Sequence, residues 1–313
     1  MNHLRTSTIL CALALAACGG SGTTNDAGTS PGDTGVVNGD SGPPPPPPTL
    51  SVAMGAIDLS CHGTSTAPTG GADVTFTGHV YDFQTGTGSD VPTIGVDVFP
   101  DNLVADTCAG TCVTGTTDLM GQLSITAPGG GWFAYRVAAG TGAGTVPVLT
   151  IGYNRTAPTA ASVVDLPSVS SSTIGLIPSL FARQRVPGTG IVSGEFGDCT
   201  GASIQDATLR VFQGATELVT GPAPTDFFVG YFRNSLPSSA QRRTSADGLF
   251  AAANIPVMAE PIRVELWGVM ADGQAPSLVG CEEARVFANG VTIISLGPLR
   301  SDYPLGSGCA GRI

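Results

Sequence analysis

Apolar side chains recur at every second position in a series of short runs, and the runs come twice in the same order. In the stretch 74–82, Val74, Phe76 and Val80 fall on one face, and His79 falls on the other with Thr75, Thr77 and Tyr81. The stretch 191–198, Ile191-Val192-Ser193-Gly194-Glu195-Phe196-Gly197-Asp198, answers it. A second pair follows, 95–99 and 207–212, where Val96 and Val98 match Leu209 and Val211. A third is 132–137, with Phe133, Tyr135 and Val137 inward, against 262–266, with Ile262, Val264 and Leu266 inward. Alternation at period two is the mark of a strand buried on one side. Each series ends in a closing run, predicted as a strand at 173–177 and again at 291–296.

The turns between these runs match as well. Gly78 corresponds to Gly194, and Asp82 to Asp198 where the first strand ends. Thr117-Asp118-Leu119-Met120-Gly121-Gln122-Leu123 corresponds to Thr244-Ser245-Ala246-Asp247-Gly248-Leu249-Phe250. In both, Thr closes a strand, an acid-bearing turn reaches a Gly, and an apolar residue opens the next strand. Gly suits a turn position with positive φ, and Asp favours it by accepting nearby amides. The pattern predicts an all-β chain of two tandem Ig-like β-sandwiches, the first at 50–186 and the second at 187–313 with a C-terminal tail.

On these residues the halves resemble the carboxypeptidase regulatory-like domain, a transthyretin-like sandwich of about seven strands. The resemblance covers most of 70–182 and 188–300. It departs at the insert 102–114, which carries Cys108 and Cys112, and at the loop 221–241. It implies a module without catalytic residues of its own, found in exported and surface proteins and associated with protein or carbohydrate contact.

The first 17 residues have the layout of a secretory leader: Arg5 as the one charge, an apolar run from Ile9 to Leu15, then small residues. The run is shorter than the roughly 20 apolar residues that cross a bilayer. Leu15-Ala16-Ala17-Cys18 resembles the lipobox of bacterial lipoproteins. That resemblance implies a diacylglyceryl group on Cys18, a membrane partner through the lipid and, with Gly19 following, sorting to the outer membrane. Residues 18–49 then form a linker rich in Gly, Ser, Thr, Asp and Pro, too polar to offset its ordering entropy, and expected to be disordered. Pro43 to Pro48 at its end predict a rod of about 19 Å.

Composition sharpens this picture. Gly and Pro number 44 and 24 of 313 residues and charged residues only 12%, which disfavours helical bundles. A net charge of −11 disfavours nucleic acid, whose phosphates need basic partners. Beyond Cys11 and Cys18, six cysteines remain: Cys61, Cys108, Cys112, Cys199, Cys281 and Cys309. In an oxidising compartment they make three disulfides, in any of fifteen pairings. The preferred set is Cys108 with Cys112, Cys199 with Cys281, and Cys61 with Cys309. Zinc is disfavoured, since no CxxC pair occurs and the leader aside only His62 and His79 are available. No metal or other cofactor is expected.

Candidate chemistry is sparse. No G-x-S-x-G elbow follows a predicted strand and no H-E-x-x-H motif occurs, so no catalytic residue is assigned. Asp97 with Asp101, and Glu282 with Glu283, read as solvated charges on a sparsely charged surface, and Glu282 and Glu283, adjacent on a strand, point to opposite faces. Asp82, Ser89 and Asp90 offer oxygens that suit calcium, although turn chemistry explains them too. Phe228, Tyr231 and Phe232 lie in an aromatic run that forms either a binding patch or a covered strand. The sequence reads as a non-catalytic envelope lipoprotein making protein or glycan contacts. Its alternatives are a solute- or glycan-binding lipoprotein with the ligand between the sandwiches, and a hydrolase without a readable motif.

Overall fold

The computed structural model describes residues 46–64, 70–86, 88–110, 112–141, 146–302 and 307–312. The leader, Cys18 and the linker as far as residue 45 lie outside them. After β1 (Ser51–Val52), the first half holds β2 (Asp73–Asp82), β3 (Gly95–Pro100), β4 (Val113–Thr116), β5 (Gln122–Pro128), β6 (Trp132–Val137), β7 (Thr150–Thr156), β8 (Leu166–Ser168) and α1 (Ser171–Leu180). The second holds β9 (Gly190–Phe196), β10 (Ile204–Gln205), β11 (Thr208–Gln213), β12 (Thr216–Leu218), β13 (Phe228–Arg233), β14 (Leu236–Ser238), β15 (Leu249–Ile255), β16 (Ile262–Gly268), β17 (Ser277–Ala284) and β18 (Val291–Leu296).

The strand pairing repeats. β5-β2-β8 form one sheet of the first half, and β15-β9-β18 occupy the same places in the second. Likewise β4-β3-β6-β7 correspond to β12-β11-β16-β17. In both copies the opening strand pairs antiparallel with the strand after the turn and parallel with the closing strand.

The matched residues serve matched purposes. A Cβ on Gly78 would lie 1.9 Å from the Val164 carbonyl oxygen, and one on Gly194 would lie 1.8 Å from that of Ile294. Each Gly therefore lets the neighbouring parallel segment pass close to the backbone. The buried Thr117 Oγ1 accepts the Ile94 amide at 2.9 Å, and Thr244 Oγ1 accepts the Ala207 amide at 3.0 Å. Gly121 and Gly248 both have positive φ, 74° and 63°, as the turn motif predicts.

The halves are joined by the backbone. β7 pairs in parallel with β18, Val291 opposite Thr150 through Ile294 opposite Tyr153. This joint fuses a sheet of each copy into one nine-stranded sheet, β14-β13-β15-β9-β18-β7-β6-β3-β4. Its two faces are covered differently. Val96, Val98, Phe133, Tyr135 and Val137 meet Phe76, Val80, Leu123 and Ile125 of the three-stranded sheet. Phe99, Ala134, Ile151 and Tyr153 point through the opposite face into a core with Phe196, Phe250 and Val264. The first half's core and the second's thus lie on opposite sides of a shared sheet.

Three expectations are corrected. Residues 173–177 are helical, because the Ser170 hydroxyl caps the Thr173 amide and nucleates α1; the closing strand of the first copy is β8 instead. The loop 221–241 contains the hairpin β13–β14, turned by Asn234 and Ser235 with φ of 52° and 61°, the geometry of a two-residue type I′ connection. Residues 49–64, placed with the first sandwich by the sequence, pack on the second. β1 pairs with β10, the Leu50 amide donates to Val269 O, and Leu50 enters the core shared with Val264.

Candidate functional site

The sites named from sequence separate into three groups. Cys18 lies outside the described residues. The other six cysteines form three disulfides: Cys108–Cys112 as expected, but Cys61–Cys199 and Cys281–Cys309 in place of Cys199–Cys281 and Cys61–Cys309. The correction follows from the docking of residues 49–64. The Cys199 amide donates to Asp58 O, which brings Cys61 beside Cys199 and leaves Cys281 to the closing segment.

The aromatic run is mostly interior. Phe228 and Tyr231 are 2% and 5% exposed. Phe228 packs 5.7 Å from Phe181, which follows α1, and the half-buried Phe232 meets the same ring edge-on at 5.5 Å. Tyr231 Oη accepts the Leu209 amide at 2.8 Å. The covered-strand reading holds here in place of a solvent-facing patch. Phe228 and Tyr231 nevertheless line a groove of about 640 Å³, bordered by Arg183, Glu217 and Arg242.

Other candidates are occupied locally. His79 Nδ1 lies 3.3 Å from Asp90 Oδ2. Asp82 is buried and accepts the Gln84 amide, while Asp198 accepts the amides of Thr200, Ala202 and Asp58, so both act as turn caps. Asp97 pairs with Arg136 at 2.6 Å. Among the described residues, Asp97, Cys108 and Cys112 are the only such group close enough to share a metal ion. The two sulfurs are joined as a disulfide and so are not thiolate ligands.

The constellation that sequence reading missed lies where the halves meet. Glu282 on β17 is 7% exposed, which corrects its reading as a solvated charge. Its Oε2 accepts from Asn154 Nδ2 at 3.0 Å, and the same amide donates to Ser295 O on β18 at 3.0 Å. Asn154, on β7, has φ of 60°, and is held in turn by Asn102, whose Nδ2 donates to Asn154 Oδ1 at 2.6 Å. Asp101 and Asn102 also have positive φ, 55° and 59°. Three residues in the left-handed region thus meet at one place, and such conformations persist where the surroundings over-determine them.

Burial pushes the Glu282 carboxyl up to about 7, against the pull of Arg300 and the Asn154 amide. Its neighbour Glu283 points elsewhere and accepts the Gly308 amide. Together Asp101, Asn102, Tyr153, Glu282, Arg285 and Arg300 line a groove of about 370 Å³. Arg285 Nη2 pairs with Asp106, and the Arg300 guanidinium stacks 4.4 Å from the Trp132 ring. With both cations partnered, the groove offers a balanced set of donors and acceptors and one carboxyl that exchanges its proton near neutrality. Asn154 falls in step with Thr150 and Gly152 along β7, so nothing in the sequence singled it out. Nothing distinguishes Glu282 from Glu283 there.

No protein-family model and no curated protein matches the chain. Among solved structures, a candidate carbohydrate-binding protein from Bacteroides uniformis is similar at 12% identity, over 69% of this chain and 98% of that one, with a TM-score of 0.24. The shaft pilin SpaA of Lactobacillus rhamnosus GG is similar at 11% identity, over 74% and 98%, with a TM-score of 0.22. A streptococcal ancillary pilin follows at 14%, over 72% and 62%, with a TM-score of 0.21. TM-scores this low do not define a common fold. The class of the protein rests on its own architecture: an all-β body of two sandwiches sharing one sheet.

Proposed function

We propose that the protein is exported, acylated at Cys18 and held at the outer membrane as a non-catalytic structural or binding module of the cell envelope. The structural observation that supports the module part of this reading is the β7–β18 joint, which fuses two sandwiches of one topology through one sheet. Such a body, behind a polar spacer, is suited to stand off a membrane and present a surface to a protein or glycan. Three disulfides fit an oxidising compartment. Two or three acyl chains, at about 0.8 kcal/mol per buried CH₂, give stable anchoring. The sandwiches are proposed as carboxypeptidase regulatory-like modules at 50–186 and 187–313, with residues 49–64 crossing over to the second.

The test is Cys18→Ser in cells fed an alkyne fatty acid. The label should disappear and the protein should leave the membrane fraction. Label retained on the variant would refute the anchor.

A second reading, a glycan or polar solute bound between the sandwiches, is favoured by the groove at Glu282. A neutral sugar supplies hydroxyls that both donate and accept, as the balanced lining requires. A glycan array probed with the protein and with Glu282→Ala tests it. Binding lost in the variant supports that reading, and binding unchanged or absent in both removes it.

A further inference from the structure

The repeat pairs the edges of the two halves unevenly. β17 is the second copy of β7, and β7 uses its outer edge to take β18 as a parallel neighbour. Among the described residues no strand lies on the equivalent edge of β17. Instead the closing segment runs along it: the Leu299 amide donates to Val279 O at 2.6 Å, and Gly280 abuts the Gly297 carbonyl. Residues 62–64 flank that segment, the Gly63 amide donating to Leu299 O and the Ser301 amide to Thr64 O, while His62 Nε2 meets Leu278 O at 3.3 Å. Both layers are fastened, the inner by Cys281–Cys309 and the outer by Cys61–Cys199. Arg312 adds a 2.6 Å pair with Glu265, itself fully buried.

The first half's counterpart of β18 is closed by other means. β8 carries Pro167, which brings no N–H to its outer side, and the Pro167 carbonyl accepts from Tyr135 Oη at 2.8 Å. Sheet edges with open backbone groups template association, and proteins cover or blunt them. Here the edges that would continue the tandem sheet into another copy are both stopped, and the edges that join the halves are left open to each other.

We propose that the closing segment, in its described residues 297–302 and 307–312, is an edge guard that keeps β17 from pairing with a second copy of this chain. Because Pro167 still closes β8, the exposed edge is met by the same edge of another molecule, related by a two-fold axis. The product is a closed dimer and not a filament.

The test removes residues 298–313 in a Cys281→Ser background, so that no thiol is left to cross-link. In sedimentation velocity the parent protein should keep one coefficient across a hundredfold range of concentration. The shortened variant should shift towards dimer as concentration rises. A synthetic peptide of residues 298–312 carrying Cys309→Ser should reverse the shift. A shortened protein that keeps its circular dichroism and stays monomeric overturns the proposal, as does association that the peptide leaves unchanged. If the deletion does not fold, full-length Cys281→Ser/Cys309→Ser is run in its place. A smaller shift of the same kind is expected there, and faster amide exchange along β17 without any shift would overturn the idea.

Discussion

The two halves share a topology and a turn chemistry yet differ at their edges, and the difference separates what builds a sandwich from what assembles two. Gly78 and Gly194, Thr117 and Thr244, and Asp82 and Asp198 act alike in both copies, each within its own sheets or turns. The edges are used in different ways. β7 accepts β18, β17 accepts the closing segment, and β8 is blunted by Pro167. The long-range disulfides follow the same division. The first half carries the four-residue Cys108–Cys112 link, while the second holds both ends of the folded region through Cys61–Cys199 and Cys281–Cys309.

The largest test of this contrast is removal of Cys61–Cys199, which spans 138 residues. Chain-entropy reasoning puts its contribution at about 5 kcal/mol. Cys61→Ser/Cys199→Ser should lower the urea midpoint far more than Cys108→Ser/Cys112→Ser. Equal losses would mean that the second half is not specially fastened.

Next come the paired glycines. Gly78→Ala and Gly194→Ala each force a methyl against a carbonyl and should each cost about 3 kcal/mol in equilibrium unfolding. Matched losses sharpen the equivalence of the halves, and a loss in only one breaks it.

Smallest near neutrality is the effect of the Glu282 proton. The folded value is about 7, raised from 4.5, so the native state holds the proton more tightly than the unfolded chain. Its stabilising contribution is complete below about pH 4.5 and is lost as pH rises through 7, a span of roughly 3 kcal/mol. Only about two-fifths of that range in pH is crossed between pH 6 and neutrality. Glu282→Gln should flatten unfolding free energy between pH 5 and 8, and a profile as steep as the parent's would show that another group is responsible.

Much of the sandwich plan was legible because its signals are local. Alternation at 74–82, 132–137 and 262–266 marked strands, and Thr-turn-Gly marked the bend before β5 and β15. The joint between halves was not legible, since a parallel pairing of backbone edges leaves no side-chain signature. For the same reason the cysteine spacing could not give Cys61–Cys199, which depends on β1 crossing to β10. The run 173–177 misled because Thr-Ile-Gly-Leu-Ile suits a strand unless the Ser170 cap is weighed. The aromatics from Phe227 to Phe232 marked a strand but not the ring of Phe181 that covers it. Glu282 stayed hidden because burial is set by Asn102 and Asn154, both from the other half.

The central claim is that the shared sheet makes the two sandwiches one cooperative body. The chain has two tryptophans, one in each half: Trp132 on β6 and Trp267 on β16. Urea unfolding of Trp132→Phe and Trp267→Phe, followed by fluorescence of the remaining indole and by circular dichroism, addresses the claim directly. The account predicts that the two curves superimpose within each variant as a single transition. Fluorescence midpoints that separate from the circular-dichroism curve in either variant would contradict it.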